Sequence, residues 1–172
     1  MVVDFAYKQS ARGNEGYGLR SIKLGLSRKL IFVSGLLACF SCSLDFSSQQ
    51  WNEFSKSRNP QPLIDHLRTV LNMTPLEIVA SRLANYESAL QITKRLFDAY
   101  DRFIGMLADN TPTSNGKSPR EHLANLSVED LESDKVFQEA RKIRQEFGKA
   151  LSDLFLKPGI DLYNLTVEYG VF

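Results

Sequence analysis

The sequence predicts an all-α protein: a bundle of five to seven helices around a buried central helix at residues 19–44, with a long antiparallel helical hairpin at 75–107 and 128–156. Three observations lead there. From Leu30 to Cys42 every residue except Ser34, Gly35 and Ser41 is apolar. No helical face is left over for water, and a helix of that kind is surrounded by protein. Downstream, apolar residues recur at steps of three and four over two long stretches, the period of amphipathic helices. Proline and glycine punctuate those stretches and nothing alternates at the period of a strand.

The chain has 172 residues, 43% hydrophobic and 24% charged, ordinary globular usage that fits one domain at residues 1–172. Residues 1–18 read as a short N-terminal helix, with Val2, Phe5 and Ala6 on one face, followed by a flexible link at Gly13, Gly16 and Gly18. The central helix follows, with Arg20, Lys23 and Arg28 along its polar entrance. Burial of Ile31, Phe32, Leu36, Leu37 and Phe40 is expected on every side of it.

After Leu44, Ser47 with Gln50 three residues on has the form of a capping box and starts a short helix that turns Trp51 and Phe54 inward. Pro60 and Pro62 precede a helix packed through Leu63, Leu67, Val70 and Leu71. Thr74-Pro75-Leu76-Glu77 joins an N-cap threonine, a proline in the first turn and a glutamate completing the box. A seam then runs Leu76, Val79, Leu83, Tyr86, Leu90, Thr93, Phe97, Tyr100, Ile104, Leu107, which is one helix of roughly 50 Å at 1.5 Å per residue. A second stripe, Ala89, Ile92, Leu96, Ala99, Phe103 and Met106, accompanies its latter half.

The polar linker at residues 109–118 is an exposed turn. Ser118-Pro119-Arg120-Glu121 and Ser127 through Asp130 repeat the capping logic. The last long helix carries Val136, Ala140, Ile143, Phe147, Ala150 and Leu154, stops at Lys157-Pro158-Gly159, and leaves an apolar tail to dock as a short helix or arm.

The formal charge of +1 conceals a basic entrance: residues 1–44 hold six Lys/Arg against two Asp/Glu, the remainder fifteen against eighteen. A pI near 7.7 lies below the value of about 9 that flags a nucleic-acid-binding domain. Cys39 and Cys42 form C-x-x-C, but neither a second such pair nor a histidine pair completes a metal site, so both read as small buried hydrophobes. No metal or cofactor is expected. The apolar run is short for a membrane span of about 20 residues, which makes the expected protein soluble and cytoplasmic. An alternative is a bacterial lipoprotein anchored through Cys39, because Leu36-Leu37-Ala38 precedes it as a lipobox would.

Catalytic patterns are absent. His66 and His122 are the only histidines and neither has a nucleophile elbow to serve. His66 reads as a surface residue, the paired carboxylates Asp98/Asp101 and Glu129/Asp130 as solvated helix faces, and no Arg–His spacing matches that of the helical HEPN ribonucleases. Arg20, Lys23 and Ser27 lie within about 60° of one another on a helical projection, with Arg28 at the edge. Beside a glycine-rich helix start they form the candidate site for an anion, such as a nucleotide or another phosphate-bearing ligand.

Residues 3–40, VDFAYKQSARGNEGYGLRSIKLGLSRKLIFVSGLLACF, resemble the segment that joins a nucleotidyltransferase-type catalytic domain to its helical C-terminal domain in some predicted bacterial nucleotidyltransferases. The resemblance implies a helical substrate- or partner-binding part, with catalysis supplied by another polypeptide or by a missing N-terminal portion. The Gly-Ser turn and carboxylate pair of such enzymes do not occur in this chain. The functional expectation is therefore a non-catalytic accessory domain that binds a partner, a substrate or a second copy of itself. The alternatives are an enzyme with a site in the bundle and the lipid-anchored protein. A homodimer is expected from the single stripe Leu76, Val79, Leu83, Tyr86, since an apolar stripe usually covers a partner.

Overall fold

The computed structural model describes residues 16–84 and 86–169; the expected helix at residues 2–10 and the linker position Gly13 lie outside them. Among the described residues the chain is all-α, without strands. In order the helices are α1 (Tyr17–Gly25), α2 (Ser27–Asp45), α3 (Ser48–Ser57), α4 (Gln61–Leu71), α5 (Pro75–Leu83), α6 (Leu90–Ala108), α7 (Pro119–Asn125), α8 (Lys135–Phe155) and α9 (Asp161–Tyr169), with a 3-10 turn at Glu87–Ala89.

Local start signals fold as written. The Ser47 hydroxyl accepts from Gln50 N at 3.3 Å while Gln50 Oε1 accepts from Ser47 N at 2.8 Å, and Thr74 with Glu77 and Ser118 with Glu121 close the same reciprocal pair. The Thr74 backbone N–H, and then its hydroxyl, hold the Glu77 carboxyl below its ordinary range. Ser127 and Asp130 also bond, but they close only a turn, and the helix expected from 128 begins at Lys135. Its start is set by Asp134, whose Oδ1 accepts from Phe137 N at 2.7 Å.

Two expected long helices are divided. The segment 19–44 breaks at Leu26, whose φ of −117° and ψ of −79° depart from helical values, so α1 ends at Gly25 and α2 starts at Ser27. The helix at 75–107 stops after Leu83, and Tyr86 is extended before the chain turns into α6. Ser88, a residue of modest helix propensity, falls at this junction, where no heptad pattern registers it.

The described residues pack as two compact units, one of residues 16–27 with Lys94–Ser152, the other of Arg28–Thr93 with residues 153–169. In the first, α1 packs on α7 through Gly18, where a Cβ would stand 2.8 Å from the Leu123 carbonyl oxygen. Gly18 is thus a packing residue inside a helix and not a link; Gly16, with φ of 68°, is the one that needs glycine's freedom, as the N-cap of α1. Seven residues after Gly18, Gly25 lies under the Arg144 side chain of α8, whose Nη1 donates to the Ser21 carbonyl at 3.4 Å. Ile22, Leu96, Phe103, Leu123, Ile143 and Phe147 fill the core between them.

Of the two stripes on α6, the inner one runs Ile92, Leu96, Ala99, Phe103, while Leu90 and Ile104 of the expected seam are exposed. Along α8 the expected stripe holds at Ala140, Ile143, Phe147, Ala150 and Leu154, and at its start Phe137 is buried where Val136 is only half-buried.

In the second unit α2 buries Leu30, Val33, Leu37, Ala38 and Phe40 with Val70, Ile78, Val79, Leu83 and Leu162. The expectation of burial all round does not hold: Ile31 is 59% and Phe32 53% exposed, and Leu36 is half-buried. Of the stripe that led to an expected dimer, Val79 and Leu83 are covered within the chain, while Leu76 is exposed and Tyr86 half-buried. Leu71, expected to pack, is 60% exposed because α4 ends there. The tail takes the helical alternative, α9.

Two stability outcomes follow from this packing. Gly18→Ala should lower the urea midpoint by the equivalent of about 1–3 kcal/mol, the usual overpacking cost, because a backbone carbonyl cannot step aside. In the same assay, at protein dilute enough for the chain to be monomeric, Leu37→Ala should cost about 2–5 kcal/mol, as a buried large-to-small change does, and Phe32→Ala should stay within about 0.5 kcal/mol as an exposed one. Equal losses at Leu37 and Phe32 would contradict this division of α2.

Candidate functional site

Each histidine anchors a polar cluster, and the chemistry of each follows from where its two ring nitrogens go. In the first unit His122 sits on α7, one turn past the Ser118 cap, and is buried. Its Nε2 lies 2.6 Å from Asp134 Oδ2 and its Nδ1 3.3 Å from Asn115 Nδ2. The carboxylate accepts, so Nε2 carries the proton and Nδ1 accepts from the asparagine amide. Asp134 uses its other oxygen to cap α8. The group borders a polar cavity of about 350 Å³, also lined by Ser114, Ser133 and Lys135. Neither ring nitrogen faces this cavity with an unused lone pair, so the arrangement ties α7 to the start of α8 and offers no general base.

In the second unit Ser41, Asp45 and His66 have the residue types of a catalytic triad without its geometry. Ser41 Oγ donates to the Ala38 carbonyl at 2.7 Å and meets His66 Nε2 at 2.8 Å. Asp45 Oδ2 stands 3.6 Å from that same nitrogen and accepts from Arg82 Nη1 at 2.5 Å. A triad needs the acid on the opposite ring nitrogen from the nucleophile, and a serine reachable by substrate. Here both groups share Nε2, and Ser41 is fully buried with its proton spent on backbone. With its side chain 16% exposed and the Phe46 ring edge-on at 5.0 Å, His66 is a latch between α2 and α4, not the surface residue expected.

The expected basic face is only partly assembled. Arg20 and Lys23 lie on α1, half-buried, and Arg20 folds its guanidinium back over Gly16. Ser27 falls beyond the break at Leu26, and exposed Arg28 belongs to the second unit, so the single-helix projection that joined all four does not apply. Cys39 and Cys42 are free thiols, exposed and half-buried respectively, not the buried pair expected. Burial first, then the neighbouring Cys39, pushes the Cys42 thiol up, away from a reactive thiolate. Among the described residues no group of three or more His, Cys, Asp or Glu side chains is placed to hold a metal ion.

What remains is the outer face of α2. Ile31, Phe32, Gly35 and Cys39 are exposed on it, with Leu36 and Cys42 at its margins. Periodicity finds such a stripe only where a polar face contrasts with it, and α2 has almost none. Counted through Leu26, Tyr17–Asp45 is long and apolar enough to cross a membrane by length and composition, contrary to the short run expected, although 44% of its most apolar window is buried within the protein. Comparison with family models, with curated proteins and with solved structures found no match.

The strut reading of His122 has a direct check. His122→Ala leaves the inner oxygen of Asp134 without its donor and should reduce stability by about 1.5–3 kcal/mol, the range for hydrogen bonds to charged groups. Gln145→Ala, at an exposed position on α8, should leave the urea midpoint unchanged. Equal midpoints for wild type and His122→Ala would remove the strut.

Proposed function

We propose that the protein is a non-catalytic helical binding module whose docking surface is the outer face of α2. The observation that carries this is the exposure of Ile31 and Phe32, each more than half open to solvent on a helix whose opposite side is core. Large apolar side chains grouped on one exposed face mark interaction sites more often than chance surface composition does. The two polar clusters support the same reading, because their histidines are committed to holding helices together.

The resemblance of residues 3–40 to the joint of nucleotidyltransferase-type enzymes covers this helix as far as Phe40. A catalytic domain on another polypeptide is accordingly one class of partner the module would serve.

Photo-crosslinking tests the reading. A benzoylphenylalanine at Phe32, introduced into the full chain in cells, should give a covalent adduct on irradiation. The same probe at Gln145, exposed on α8, should give none. Equal yields at the two positions, or no adduct at either, would refute a docking surface on α2.

A further inference from the structure

We infer that the occupant of this face is a second copy of the chain, its α2 antiparallel to the first about a two-fold axis beside Gly35; this rests on the reading of α2 as a docking surface. Arg28, Phe32, Gly35, Cys39 and Cys42 follow one another at steps of four, three, four and three, the spacing of a coiled-coil seam. Arg28, Phe32, Gly35 and Cys39 are exposed and Cys42 is half-buried, and Gly35 has nothing within 4 Å of where a Cβ would be.

The seam is complementary to itself in one orientation only. With the axis beside Gly35, Phe32 of each copy lies opposite Cys39 of the other and Leu36 opposite Gly35, so along the seam a large side chain meets a small one. Ring against thiol sulfur is also a favourable pairing. Parallel alignment would set Phe32 on Phe32 and Arg28 on Arg28. Charge selects the same orientation. α2 has no acid in its first turn and no base in its last, and Arg28 and Lys29 stand at its positive end, where its own dipole disfavours them. In the antiparallel pair they come beside the other copy's C-terminal carbonyls, where cations are favoured. A two-fold contact of this kind closes on itself and ends at the dimer.

Sedimentation and disulfide trapping test the inference. At tens of micromolar the wild-type chain should sediment as a dimer, and Phe32→Asp as a monomer with unchanged helical circular dichroism. Leu36→Cys, in a Cys39→Ser, Cys42→Ser background, should form a disulfide-linked dimer on mild oxidation, because it adjoins the axis. Cys39 of the wild type should not, since two such residues lie about 10 Å apart along the helices, beyond disulfide reach. Linkage through Cys39 in place of Leu36→Cys would overturn the antiparallel register. A wild-type monomer would overturn the second copy as occupant. In that case a Phe32 photo-adduct with another protein would leave the docking surface standing, co-flotation with anionic liposomes lost in Phe32→Asp would assign the face to a membrane, and the absence of both would remove the surface as well.

Discussion

The first unit depends on the absence of a side chain at Gly18. Any Cβ there would be forced against the Leu123 carbonyl, so glycine alone lets α1 lie on α7 at this separation. The consequences run around a closed circuit. α7, held in place, presents His122 to Asp134; Asp134 caps α8; and α8 carries Arg144 back over Gly25 to the Ser21 carbonyl of α1. Three helices are thereby fixed in pairs by a close backbone approach, a buried hydrogen bond to a carboxylate and an arginine laid across a second glycine. The apolar core of Leu96, Ile143 and Phe147 supplies the apolar burial, and the polar ties determine which face of each helix receives it.

The second unit is built around a helix with two different sides. The inner side of α2 joins the core and is latched to α4 by Ser41 and His66, with Asp45 carrying the same helix to Arg82 of α5. The outer side carries side chains as apolar as the inner one. A latch of buried polar groups fixes rotation about the helix axis, since a turn of the helix would take the Ser41 hydroxyl away from the His66 nitrogen in a poorly solvated place. Hydrophobicity alone would not distinguish Leu37 from Phe32. The polar contacts do, and they leave Phe32 outside.

Both histidines would attract a catalytic reading from residue type alone. The His122 geometry assigns that ring otherwise, because proton transfer needs an unshared ring nitrogen, and Ser41, His66 and Asp45 lack the order of a triad. One ring is used on both nitrogens, and the other meets a buried serine and an acid through the same nitrogen. With Ile31 and Phe32 left in water on α2, these committed histidines are the ground on which the proposed binding module rests.

The sequence by itself determined what is decided within a few residues: the capping boxes at Ser47, Thr74 and Ser118, the helices they start, and the inward stripe on α8 from Ala140 to Leu154. These depend on neighbours three or four positions apart, which the chain order specifies. Tertiary structure decided whatever depends on which element covers another. On α6, two apolar stripes compete and packing selects Leu96 and Phe103 over Leu90 and Ile104; on α2, an unbroken apolar surface cannot say which of its sides meets the core. Gly18 reads as a link in sequence and becomes the closest approach in the fold, because the carbonyl it accommodates lies 105 positions later in the chain, at Leu123. The Ser41–His66 latch, 25 residues apart, and the Asp134 cap that His122 completes were hidden for the same reason. Periodicity records that a face is apolar, and only the arrangement of the other helices determines whether it is covered.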